Sequence, residues 1–534
     1  MIRILDDRAR KIYRIPISAQ PTQEEQRLIA DVSMLPVQAR KWSASDSEWQ
    51  VNYSQKKAMR AIFMRHGERA RTRQAYVEPK GLRDTQREAL AFCAQEPSAL
   101  LDMYMSTGKT RTGIELIRLH QAARVLISCP TGAMAVWRDQ LQEWATYNYK
   151  LCVLSRDQTV AGRAETLQAF MRGLVSVELP AIVVANYHVI WRDALANAID
   201  GINWDMFILD ECHHQLGRSS KIGRFLGKIA MDIPYRYAFS GTPLRTSILD
   251  AFGLYRFLHP AIFGRNYKQF EQMYAEVDHM TRKIIVHRNK EEFNRRYNLI
   301  RYHAGRDRLN IAEPVLNLSP VRLPASVWRV YKDVEKEFYA ELDNEGGKVD
   351  APNVLVKYLR LQQIESEFVA IEDGTLQRLT QGETAKQEIL REFLTDLPMD
   401  EKVVVFTRFQ LEAEQAHTAA AETGRRTYKL TGAVKELDAW KADSTGAALI
   451  ASLGAGSEAV DMTAAIYAVF WSLSYKRLEF EQAVSRVSRT NQRQAANIYV
   501  MIPEGPRGEI SIGRKVYNSH KAKTSLLEEL TRRA

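Results

Sequence analysis

The sequence predicts an α/β chain of two lobes, each built on a parallel sheet, with a helical insertion between them and a small basic α+β domain in front. Three observations carry that reading. Short runs of aliphatic and β-branched residues alternate with longer stretches of helical character in two separate series, the pattern of strands layered between helices. The chain has 534 residues, whereas one hydrophobic core seldom organises more than about 250–300. Positive charge is unevenly spread, since residues 1–80 hold 16 Lys/Arg against 9 Asp/Glu, a net +7 of the total +11.

The amino-terminal domain is expected over residues 1–78, where Trp42 and Trp49 bracket a polar turn in a hairpin-like setting. The first lobe, 79–300, takes its strands from the apolar runs Ala99–Leu101, Val125–Ser128, Ala181–Ala185, Met206–Leu209 and Tyr237–Phe239. From about 250 to 400 the chain reads as helix and loop, with mixed-charge segments such as Tyr331–Glu345 and Lys386–Leu397, so a helical insertion is expected over 301–398. The second lobe, 399–534, ends in a short basic tail and uses Val403–Phe406, Leu449–Ser452, Tyr467–Trp471 and Ile498–Ile502.

Composition removes several function classes. With 45% hydrophobic and 26% charged residues the chain has enough apolar material to fold. Its four cysteines, Cys93, Cys129, Cys152 and Cys212, form no CxxC pair, which argues against a disulfide framework or a cysteine zinc module. The charged start MIRILDDRAR lacks a signal core, and no stretch approaches the roughly 20 apolar residues of a membrane span. A monomer in a reducing compartment, cytoplasmic or nuclear, is expected.

The strongest local signal is Leu100–Thr110, an apolar strand running into Ser106-Thr107-Gly108-Lys109-Thr110 and then a helix. Such a loop cradles phosphate on backbone N–H groups at a helix amino terminus, with Lys109 neutralising the β and γ phosphates of ATP and Thr110 holding magnesium. The general pattern has a glycine where this chain has Met103. The second signal is Met206–Leu209 followed by Asp210-Glu211, two carboxylates at the carboxyl end of a strand. Asp210 is placed to hold magnesium and Glu211 to polarise the attacking water. His213 and His214 follow, but adjacent side chains on an extended segment diverge and no further ligand lies at metal spacing, so zinc is not expected.

With these motifs in order, residues 82–500 resemble a superfamily-two helicase, more narrowly the Swi/Snf group of DNA-dependent ATPases. The resemblance implies two tandem RecA-like lobes. It places Gln86 at the adenine-sensing position, Ser128-Cys129-Pro130 with Trp137 and Trp144 at the backbone-touching second motif, and Ser240-Gly241-Thr242-Pro243 at the motif that couples γ-phosphate to DNA. Phe252–Phe263 looks like the Swi/Snf continuation. In the second lobe, Lys402–Arg408 resembles motif four and Ser452–Thr463 motif five, with Gly456 facing nucleotide and Thr463, like Arg408, facing DNA. Ser457, Ala459 and Asp461 depart from that group's pattern. Glu481–Gln492 resembles motif six, with Gln482 at the nucleotide, Arg486 and Arg489 as arginine fingers, and Asn491 for the usual glycine. Arg486 and Arg489 lie three apart and so share a helix face.

Ala39–Val51 resembles, more weakly, an element of the accessory domain of annealing helicases, which implies that Arg40, Lys41, Trp42 and Trp49 contact branched DNA. The alternative has Trp42 and Trp49 filling a small core; both hold if Arg40, Lys41, Lys56, Lys57 and Arg60 line the outer face. The function expected is an ATP- and magnesium-dependent translocase on double-stranded or forked DNA that remodels DNA structures or displaces bound proteins. A strand-separating DNA or RNA helicase is the second enzyme reading, and a DNA-binding clamp with little ATPase activity is the non-enzyme one.

Overall fold

A computed structural model describes residues 5–7, 10–35, 37–66, 76–105, 107–155, 157–174, 179–214, 221–244, 247–278, 284–308, 313–344, 351–370, 375–456, 460–488 and 494–522. The chain divides into two compact units, Met1–Leu309 and Asn310–Ala534.

The first unit opens with a four-stranded sheet of β1 (Leu5–Asp7), β2 (Ile12–Pro16), β3 (Arg40–Ser43) and β4 (Glu48–Asn52), in the order β1-β2-β4-β3. Helices α1 (Gln23–Ser33) and α2 (Lys56–His66) cover it, and Ile15, Leu28, Val32, Val51, Met59 and Ile62 form the core. A capping box of Thr22 and Glu25 starts α1 by satisfying amides that the first helical turn leaves open. The domain is fastened to the lobe behind it. Arg60 Nη2 lies 2.5 Å from Asp205 Oδ1, Lys57 Nζ donates to the Asp200 carbonyl at 2.6 Å, and Arg27 pairs with Glu96 at 2.7 Å. Lys57 and Arg60, expected on an outer DNA-facing surface, are therefore docking residues; the side chain of Lys56 lies outside the described residues.

Next comes a seven-stranded parallel sheet in the order β13-β5-β10-β9-β6-β8-β7. Its strands are β5 (Ser98–Met103), β6 (Arg124–Cys129), β7 (Lys150–Val153), β8 (Ala181–Asn186), β9 (Met206–Leu209), β10 (Tyr235–Ser240) and β13 (Arg301–Ala304), the hairpin β11 (Ala275–Val277) and β12 (Ile284–His287) lying apart. β5, β6, β8, β9 and β10 are buried almost throughout, as strands covered on both faces must be, and they coincide with the five apolar runs. Three helices beside the first strands matter for the site: α3 (Asp84–Gln95), α4 (Lys109–Leu119) and α5 (Thr131–Trp144). Phe252, Tyr255, Phe263, Phe270, Tyr274 and Phe293, from the segment after Pro243, complete the core of this lobe.

The second unit carries a six-stranded parallel sheet, β14-β21-β20-β17-β19-β18, built from β14 (Val315–Arg322), β17 (Val403–Thr407), β18 (Thr427–Leu430), β19 (Ala448–Ser452), β20 (Tyr467–Phe470) and β21 (Asn497–Glu504). A small hairpin, β15 (Phe368–Ala370) and β16 (Leu376–Arg378), stands apart from it. The stretch expected as a helical insertion is largely helical, but it also supplies β13 to one sheet and β14 to the other. Its helices Ala325–Asn344 and Ala351–Glu365 are not a separate module, because Trp328, Tyr331, Tyr358, Leu361 and Ile364 share one core with Phe406, Phe470 and Val500.

Candidate nucleotide site

Sheet order makes the site. β10 lies between β5 and β9, so the loops leaving their carboxyl ends emerge side by side, with Ser240 in register with Asp102, and Ala238 with Leu209. The loop after β5 ends at Gly108, which caps α4 with φ 88°, a left-handed conformation that favours glycine. A Cβ there would also stand 2.2 Å from Gln86 Nε2. Gln86 is buried; its Nε2 donates to the Gly108 carbonyl at 3.1 Å and its Oε1 accepts from the Arg83 amide at 2.9 Å. Thr107 is buried and donates to the Tyr104 carbonyl at 2.6 Å, which tightens the turn. Met103 ends β5 fully buried while its carbonyl accepts from Lys109 Nζ at 3.3 Å, so in this chain that position serves the core and the lysine. Ser106 lies outside the described residues. Thr110 is the second residue of α4.

Across from the loop, Asp210 Oδ2 accepts from the Trp137 indole at 2.9 Å and Oδ1 from the Glu211 amide at 3.0 Å. Burial, and then the neighbouring Glu211 carboxylate, push the Asp210 carboxyl up to about 6, with Lys109 and the indole pulling the other way. Glu211 sits at φ 47°, a conformation uncommon outside glycine that recurs at functional loops. Its carboxylate lies 3.6 Å from Lys109 Nζ and 3.4 Å from His213 Nδ1. His213 Nδ1 also stands 2.9 Å from Ser240 Oγ, which accepts from the Thr242 amide at 3.0 Å.

His213 is thus a site residue that the sequence reading set aside. A short helical turn over Cys212–His214 aims it inward instead of letting it diverge from Glu211. Trp137, which the resemblance places in the backbone-touching second motif, is buried against Asp210, and a Cβ on Gly113 of α4 would lie 2.6 Å from its ring. The helix it belongs to does begin at Pro130, and Asn186 Nδ2 donates to Thr131 Oγ1 at 2.6 Å. Trp144 carries Arg111 over its ring at 4.1 Å.

The site fits ATP with magnesium. A helix amino terminus faces the loop, Gly108 leaves no room for a side chain, the buried Asp210 carboxylate and Glu211 stand by Lys109, and Thr110 lies in the first turn of that helix. Thr242 Oγ1 is buried without a hydrogen-bond partner among the described residues, in keeping with an acceptor or donor arriving from a ligand. No cluster of three or more His, Cys, Asp or Glu suited to a metal occurs among the described residues.

In the second unit, Arg408 donates to Tyr358 Oη at 3.0 Å and to Gln362 Oε1, and its guanidinium lies over the Tyr358 and Tyr475 rings. It is braced from within its own lobe. Gly456 ends a short helix, Leu453–Gly456, and Ser457 and Ala459 lie outside the described residues. Asp461 accepts from the Thr463 amide at 3.0 Å, while the Met462 amide donates to the Arg486 carbonyl at 3.0 Å. That loop is therefore tied to the helix Arg477–Val487, which carries buried Gln482 and half-buried Arg486; Arg489 and Asn491 lie outside the described residues.

In the amino-terminal domain Trp42 and Trp49 face each other across β3 and β4, their rings 5.6 Å apart edge to face. Trp49 packs against the small core with Arg40 over its ring at 5.4 Å, whereas Trp42 is 42% exposed beside exposed Lys41. The core-filling alternative therefore holds for Trp49 and not for Trp42.

Residues 41–368 match the family model described as SNF2-related domain. Among curated proteins, the chain is 23% identical over 207 residues to mouse chromodomain-helicase-DNA-binding protein 1-like, covering 37% of this chain and 22% of that one. It is 24% identical over 216 residues to the yeast ISWI chromatin-remodeling complex ATPase ISW2, covering 38% and 18%, and 22% identical over 209 residues to the human DNA repair and recombination protein RAD54B, covering 37% and 21%. The chain spans about a fifth of the length of these relatives. A solved structure of the Sulfolobus solfataricus SWI2/SNF2 ATPase core in complex with dsDNA is similar at 18% identity and a TM-score of 0.39, covering 86% of this chain and 95% of that one.

Proposed function

The chain belongs to the SNF2-related family, and from that membership we propose that it is an ATP-dependent translocase on double-stranded or forked DNA. The observation that carries the reading is the convergence of Lys109, Asp210, Glu211, His213 and Ser240 at the ends of three neighbouring strands. Lys109 and the amides of the Gly108 loop bind the phosphates, and Gln86 reads the base end. Thr110 and Asp210 would hold magnesium, which would neutralise developing charge on the phosphates. Glu211 orients the attacking water. The line of contacts Glu211–His213, His213–Ser240 and Ser240–Thr242, the last two of them hydrogen bonds, then links that water to the loop after β10, the part of the lobe assigned to DNA coupling together with Pro130. Arg486 and Arg489 are the second lobe's contribution to the γ-phosphate charge, and Thr463 and Arg408 its contribution beside DNA.

Sequence-independent phosphate contacts suit the net charge of +11 and make binding weaken with salt. Relatives named for chromatin remodeling and for DNA repair and recombination support a reading in which the chain acts on DNA that carries other proteins or branches. Exposed Lys41 and Trp42 are the part of the amino-terminal domain that meets DNA. No helix among the described residues is long and apolar enough to cross a membrane.

Phosphate release measured with and without duplex DNA tests the reading. Turnover rises with DNA and disappears in Lys109→Ala; equal turnover in both conditions overturns the motor. Triplex displacement set beside forked-duplex unwinding separates translocation from strand separation.

A further inference from the structure

β13 is the last strand of the first lobe, and it touches both walls of the nucleotide site. On one side it pairs with β5, the strand that leads into the phosphate loop. The Tyr104 amide, the first of that loop, donates to the Ala304 carbonyl at 2.8 Å. Asp102, buried one residue before the end of β5, takes Arg301 Nε at 2.9 Å, a second contact from Arg301 Nη2, and His303 Nδ1 at 2.9 Å. Arg301 is itself held by Asn298 at 3.0 Å and lies over the Tyr297 ring.

On the other side β13 grips α3, the helix of Gln86. Tyr302 Oη stands 2.9 Å from the Thr85 carbonyl and 3.0 Å from Glu88 Oε2, and Arg308 pairs with Glu88. Gln86 in turn reaches the Gly108 carbonyl at the far end of the loop. The contacts close a ring from β5 through the loop to Gly108, Gln86, α3, β13 and back to Asp102. A buried carboxylate is held there by a guanidinium and an imidazole, neither of which belongs to a nucleotide motif. Ligand-binding loops depend on such support, because a displacement of about 1 Å can cost a hundredfold in rate.

We propose that Arg301, Tyr302 and Arg308 are positioning residues of the nucleotide site, holding the phosphate loop and the Gln86 helix in register. The proposal rests on the ATP reading above. Tyr302 and Arg308 set the base-binding wall, and Arg301 sets the phosphate wall through Asp102.

The test uses the full chain with duplex DNA, steady-state turnover of ATP and GTP, and thermal melting. Tyr302→Phe, alone or with Arg308→Gln, raises KM for ATP about fivefold with kcat within about twofold, and narrows the ATP-over-GTP preference by a similar factor. Arg301→Gln lowers kcat about tenfold, and Arg301→Lys restores part of it. A purely structural role would lower the melting temperature and scale activity with the folded fraction while KM and the ATP/GTP ratio stay fixed; that result, or wild-type values throughout, overturns the proposal. Wild-type chain that hydrolyses neither nucleotide overturns the ATP reading instead.

Discussion

Each lobe buries charge near the carboxyl ends of its parallel strands, and the two do so to opposite effect. In the second lobe Glu412 is fully buried and accepts from the amides of Arg408 and Phe409, at 2.8 and 3.2 Å, and from the hydroxyls of Ser366 and Ser472, at 2.6 and 2.8 Å. Lys386, equally buried, donates to Ser366 and to the Trp471 carbonyl. In the first lobe two adjacent carboxylates, Asp210 and Glu211, stand by Lys109, and burial, then their mutual repulsion, raises Asp210 to about 6. Hydrogen bonds from uncharged donors enclose the Glu412 carboxylate of one lobe, while the other crowds like charge where a further cation is favoured. Enclosed charge makes a scaffold, and crowded like charge makes a site.

The comparison breaks first at turnover. Lys109→Ala and Glu211→Gln are expected to reduce DNA-stimulated phosphate release about a thousandfold, near 4 kcal/mol, while the melting temperature stays within a few degrees. Glu412→Ala is expected to do the reverse. It strands the buried Lys386 ammonium and the amides that start the helix Gln410–Glu422, for a loss of about 3 kcal/mol in urea unfolding. If Glu412→Ala leaves stability untouched, the network is not a scaffold.

How much of this was legible in the sequence follows the same division. The central strands are buried on both faces and read as continuous apolar runs. The four sheet strands that the runs did not reveal, β7, β13, β14 and β18, are the outermost strands of their sheets. With one edge open they keep exposed or half-buried polar positions, and β14 even contains Pro320, which an edge strand tolerates because no ladder bond is lost on the open side. At the site, Lys109, Asp210 and Glu211 were legible because each motif is contiguous. His213 and Trp137 were not assigned their places. The Trp137–Asp210 bond joins residues 73 apart, and the His213–Ser240 contact residues 27 apart, so only the strand order brings them together. The ring through β13 was invisible for the same reason, since Arg301 lies 199 residues from Asp102.

Trp137→Phe sharpens the first half of the comparison. Phenylalanine keeps an aromatic ring against Gly113 but removes the indole donor from Asp210. A carboxylate that loses one donor holds magnesium in a poorer orientation, so the magnesium concentration giving half-maximal turnover should rise about tenfold, or about 1.4 kcal/mol. Turnover at saturating magnesium should change less than threefold. An unchanged magnesium requirement would show that the indole only fills space.

Glu365→Gln probes the second half, at a scaffold carboxylate that burial leaves with a raised pKa. Glu365 is buried, accepts from the Gly513 amide at 2.8 Å, and is pushed up to about 7 by burial, with Lys386 opposing and Glu412 adding to the rise. Because the folded chain takes up this proton at a higher pH than the unfolded chain does, the native protein binds more protons between about 4.5 and 7. Stability from this group therefore rises as pH falls through that window, and ionisation above about 7 is a standing cost. Glutamine keeps an acceptor for Gly513 and cannot ionise. The variant should accordingly be more stable than the wild type at pH 8 by about 3 kcal/mol, with the gap in urea midpoint closing steadily toward pH 4.5. Asp210 titrates alike in both proteins and cancels from the difference. A gap that stays constant with pH would mean that Lys386 fully compensates Glu365, which would then be enclosed charge like Glu412.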